Sequence, residues 1–97
     1  MAIVAVFQSP TFTQARYEES VRQLTSGRNR MEKPADWPVV GLLVHVAGQG
    51  PNGFRVVDVW QSEETFQRFG EKLLPILKAL GVEGQPDVYP AHTLVTA

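Results

Sequence analysis

Ninety-seven residues, 43% hydrophobic and 20% charged, describe one ordinary globular domain with room for a single core. A net charge of −1 gives no electrostatic footprint for nucleic acid or an anionic membrane, and no apolar run approaches the ~20 residues that cross a bilayer. Without cysteine there are no disulfides, thiolate metal sites or cysteine nucleophiles.

The opening MAIVAVFQ is too short for a signal peptide and lacks its basic lead, so a cytoplasmic location is the default expectation. Ala2 to Phe7 reads as a first strand, ended by Ser9 and Pro10. Thr11 to Thr25 places Ala15, Tyr17, Val21 and Leu24 on one face and polar residues elsewhere. This predicts an amphipathic helix capped by Thr11 or Thr13 and stopped by Gly27. Arg28 to Pro38 has no period and two prolines, which predicts a loop, with Trp37 an expensive residue to leave in water.

From Val39 to Leu80 the chain reads as strand, tight loop, strand and helix. The strands are rich in β-branched residues, and Gly48, Gly50, Pro51, Asn52 and Gly53 mark the turn between them. Gly48, Gly50 and Gly53 also have dinucleotide-fingerprint spacing, but they join two strands instead of opening a helix, so that match is spurious. Ser62 caps the helix, and Glu63 and Glu64 complement its dipole without facing each other as a catalytic pair would. Phe66, Phe69, Leu73, Leu77 and Leu80 form its apolar face, and Pro75 is expected to kink or interrupt it. After Gly81 and a turn-rich link, Val88 to Thr96 is expected as the last strand, with Pro90 arguing for an edge position.

The order β-α-β, β-α-β predicts an α+β, ferredoxin-like domain over residues 1–97: a four-stranded antiparallel sheet with both helices on one face. Alternation separates Leu42, Val44 and Val46, the better candidates for the helix side, from Leu43 and His45. On the next strand Arg55, Val57 and Val59 oppose Phe54, Val56, Asp58 and Trp60, with Val56 expected on the side away from the helices. Both sets are largely apolar, so the bare sheet face needs a cover, and a homodimer is the favoured one over a ligand.

The run Val59-Trp60-Gln61-Ser62-Glu63-Glu64-Thr65-Phe66, with Phe69 after it, resembles the dimeric α/β-barrel superfamily, in particular antibiotic-biosynthesis-monooxygenase-like domains. The resemblance covers nearly the whole chain. It implies two ferredoxin-like units packed sheet to sheet, each with a pocket, and functions from cofactor-independent monooxygenases to isomerases, polyketide cyclases and haem-degrading enzymes. Haem-degrading members carry a further Trp and a haem-ligating His on the helix. By offset those positions are Phe69 and Ala79 here, and no histidine lies between Ser62 and Leu80, which argues against haem degradation.

The candidate catalytic residues are His45, Asp58 and His92, the polar groups on strands otherwise built from Val, Leu and Phe. A His–Asp contact in a partly dry cavity would fix the imidazole tautomer and suit a general base acting on an acidic phenol or enol. Trp60, Phe54, Val56 and Trp37 are the candidate substrate-lining residues, with packing the competing explanation for Trp60. The cavity is expected between sheet and helices or inside the barrel, with the Arg28–Pro38 loop at its mouth. Tyr89 and Arg55 are runner-up donors on the opposite set. Two strand histidines and one aspartate are a weak metal signal, so no metal or cofactor is expected. Two functions remain open: a small cofactor-free monooxygenase, isomerase or cyclase acting on an aromatic or polyketide-like molecule, or a non-catalytic dimeric protein that binds a small molecule or serves in stress.

Overall fold

The computed structural model describes residues 1–27 and 31–97, so residues 28–30 of the expected Arg28–Pro38 loop lie outside the described residues. The elements run β1 (Ile3–Gln8), α1 (Gln14–Leu24), a 3-10 turn (Pro34–Asp36), β2 (Leu42–Gly50), β3 (Gly53–Trp60), α2 (Glu63–Ala79) and β4 (Asp87–Pro90). The sheet order is β2-β3-β1-β4 with every neighbouring pair antiparallel, which is the ferredoxin-like arrangement.

Local chemistry sets the element ends. Thr13 caps α1 by accepting from the Arg16 N–H, while the Thr11 hydroxyl accepts from the Glu83 N–H and ties α1 to the chain beyond α2. Ser62 caps α2 in a reciprocal capping box with Thr65. Gly41, at φ +121°, lies so close to Thr65 that an added Cβ would sit 2.7 Å from the Thr65 Cβ. Its carbonyl accepts from the Gln61 N–H at 2.7 Å, locking the entry of β2 against the end of β3.

Pro75 does not interrupt α2, which runs unbroken from Glu63 to Ala79. Pro75 and Glu71 are both exposed, so the carbonyl that loses its helical donor is on the solvent side and can bond to water. The last strand is shorter than expected. It stops at Pro90, which has no N–H to offer the ladder, and the chain leaves through a bond from the Ala91 N–H to the Ala2 carbonyl.

The assignment of strand faces also needs correction. Leu42 pairs with Trp60, but Val44 pairs with Val59, so a bulge at Leu43 puts two β2 steps opposite one β3 step. Beyond it the alternation is inverted: Val44 and Val46 face away from the helices, and His45 and Ala47 face them. Phe54, Val56, Asp58 and Trp60 share the helix side, where the large rings fill the layer between sheet and helices. Val56 therefore lies under the helices and not on the open face.

Two apolar clusters build that layer. Ile3, Ala5, Val21, Trp37, Leu42, Trp60 and Phe69 form one, and Phe12, Phe54, Leu77 and Val82 the other, with Tyr17 and Leu73 packed against both. On the opposite face six valines form two cross-strand rows, Val4–Val59–Val44 and Val6–Val57–Val46. The next row, Gln8–Arg55–Gly48, is polar and solvated.

Candidate functional site

A groove of about 540 Å³ opens where α1 crosses β2, lined by Tyr17, Met31, His45, Ala47 and Phe54, with Gln14, Glu18 and Gln49 at its rim. His45 and Asp58 are direct cross-strand partners on β2 and β3, so the ladder itself brings their side chains together. His45 Nδ1 lies 2.6 Å from Asp58 Oδ1, and both side chains are 8% exposed. The other carboxylate oxygen, Oδ2, accepts from the Trp60 Nε1–H at 3.4 Å. Asp58 is thus buried with a donor on each oxygen, which compensates for its loss of water.

The second imidazole nitrogen is engaged as well. Tyr17, on the inward face of α1, stacks on the His45 ring with centroids 5.9 Å apart and planes 13° apart. Its hydroxyl oxygen is 2.6 Å from His45 Nε2. Burial, with the nearby Asp58 carboxylate adding to it, pushes the Tyr17 phenol up to about 12, so it rests protonated. Tyr17, His45 and Asp58 form one chain of two short hydrogen bonds from the groove into the sheet.

Trp37 closes the far side of this chain. Its indole meets His45 edge-on at 5.3 Å and stacks on Phe69 at 5.4 Å, and Phe69 stacks on Trp60 at 4.9 Å. Three rings in sequence hold His45 and Asp58 away from solvent on that side. Trp37 is 7% exposed, and its Nε1–H has no partner among the described residues.

Of the residues singled out from sequence, His45, Asp58, Trp60, Phe54, Val56 and Trp37 all come to the helix side of the sheet. Of the four expected lining residues only Phe54 lines the groove: Val56 packs against the second cluster, and Trp37 and Trp60 lie in the first. His92 is not brought to them: it follows the end of β4, is exposed, and its Nδ1 lies 2.9 Å from the Thr93 hydroxyl. Arg55 and Tyr89 lie on the opposite face, as simple alternation places them. Met31, from the expected loop, lines the groove. Tyr17 was not foreseen as a site residue. Its signal was a phenol on the apolar face of α1, where a hydroxyl needs a partner from the sheet.

Among the described residues no group of three His, Asp or Glu side chains is placed to hold a metal ion, and no helix is long and apolar enough to cross a membrane. No family model matches the chain, and no curated protein matches it.

Proposed function

We propose that this chain is a small enzyme of the dimeric α/β-barrel type, resembling antibiotic-biosynthesis-monooxygenase domains, that removes a proton from an acidic aromatic or polyketide-like molecule. Monooxygenation, isomerisation and cyclisation all begin at that step, because each needs an electron-rich anion of the substrate. No bound cofactor is required for it. The observation that carries the reading is the buried 2.6 Å contact of Asp58 with His45, which itself lines the groove. The carboxylate fixes the imidazole as the Nδ1–H tautomer and leaves Nε2 as the acceptor, the arrangement of a general base. Tests on hydroxyaromatic and 1,3-dicarbonyl compounds, following both oxygen uptake and product formation, should show turnover by the native protein and none by His45→Ala.

One observation favours a second reading: the groove is a partly open cleft and not a closed cavity, which suits a binding protein without turnover. Under that reading His45→Ala shifts affinity, and neither protein forms product.

The barrel type also implies a homodimer. Two rows of three valines on the open sheet face support it: Val46 is 58% exposed in the single chain and Val4, Val6, Val44 and Val57 are partly exposed, while Val59 is buried. A row of apolar residues left in water on a sheet face gains by pairing with a copy of itself.

A further inference from the structure

The proton chain has a direction, and that direction constrains the ligand. Asp58 is an acceptor when ionised, and its Oδ1 contact assigns the imidazole proton to His45 Nδ1. Neutral His45 then presents Nε2 as an acceptor, so the short contact with Tyr17 is made by the tyrosine's only hydroxyl proton. With that proton committed inward, the Tyr17 oxygen offers only lone pairs to the groove. His45 Nε2 is engaged by the same hydroxyl, and Tyr17 and His45 both line the groove.

We propose that Tyr17 is the catalytic residue that touches the substrate, that His45 acts through it, and that the substrate presents a phenol or enol hydroxyl on a flat apolar body. The proposal rests on the general-base reading above and deepens it. In the step, the substrate O–H bond breaks and its electron pair stays on the substrate oxygen. The proton bonds to Tyr17 Oη as the tyrosine's original proton moves to His45 Nε2. The products are a substrate oxyanion, a neutral tyrosine and an imidazolium facing the Asp58 carboxylate. No oxidant or reductant enters. Tyr17 and Phe54, with ring centroids 4.9 Å apart, supply aromatic surface for the body of the ligand, and Met31 and Ala47 extend it.

4-Nitrophenol, whose colour reports its ionisation, and its methyl ether 4-nitroanisole, which has no hydroxyl, test this without knowledge of the natural substrate. The native protein should bind the phenol about tenfold more tightly than the ether, the worth of one good hydrogen bond. The bound phenol should absorb as the phenolate at a pH where the free compound is neutral. Tyr17→Phe, checked for native fold by circular dichroism, should lose both the preference and the colour change. His45→Ala should lose the colour change, because Tyr17 then has no acceptor for its proton. If Tyr17→Phe keeps preference and colour while His45→Ala loses them, His45 meets the ligand directly: the relay is overturned and the general-base reading stands. If the native protein binds neither probe, or binds both alike without a colour change, the relay and the general-base reading fall together.

Discussion

His45 and Asp58 face each other across one rung of the β2–β3 ladder, with Nδ1 and Oδ1 2.6 Å apart. Because the pair is held by strand register and not by a loop, its geometry does not depend on a ligand. Removing the carboxylate therefore has a structural cost apart from any chemistry. Asp58→Ala would leave both the His45 Nδ1–H and the Trp60 Nε1–H without their acceptor, an expected loss of about 2–4 kcal/mol. Asp58→Asn keeps an oxygen to accept from Nδ1–H and should lose less. Urea unfolding of the two variants measures the difference.

The proposed dimer is tested on the open face. Val46→Asp places a charge where a lone chain exposes the side chain, so a monomer tolerates it and a valine-packed dimer does not. Sedimentation equilibrium at micromolar concentration should give about twice the chain mass for the native protein and about the single mass for Val46→Asp. Val56→Asp, under the helices, should instead unfold the chain at a cost of about 3–5 kcal/mol, whatever the assembly.

Much of the architecture was readable from element order and apolar periodicity, because two amphipathic helices and their crossovers leave few ways to cover one sheet face. The faces were not readable, for one local reason. The bulge at Leu43 adds a step to β2 and so turns His45 toward the helices, which alternation alone assigns to the other side. His92 was misplaced because Pro90 ends the last strand two residues before it. Tyr17 read as one apolar residue among several, and only the tertiary contact between α1 and β2 reveals what its hydroxyl meets.

The serine at the start of α2 is a cap and nothing more in this account. Ser62→Ala should cost about 1 kcal/mol of stability and leave nitrophenol binding unchanged. Loss of binding at unchanged stability would give the serine a chemical role.

Alkaline stability should report the burial of Tyr17. Its folded value of about 12 stands above the ~10 of an unfolded chain, so between those limits the unfolded chain gives up the phenol proton first. The contribution is fully present below about pH 10 and is lost as the pH rises through about 12. Urea midpoints of the native protein should fall more steeply over that window than those of Tyr17→Phe, which has no phenol to titrate. Parallel curves would mean that Tyr17 ionises as freely in the folded chain as in the unfolded one.

The most direct measurement is nitrogen-15 NMR of the two imidazoles at constant pH, before and after saturation with 4-nitrophenol. His45 should be the Nδ1–H tautomer in the free protein and gain a proton on Nε2 when the phenol binds, while exposed His92 does not change. A His45 that carries its proton on Nε2 in the free protein, or that responds to the phenol no more than His92 does, would contradict the relay.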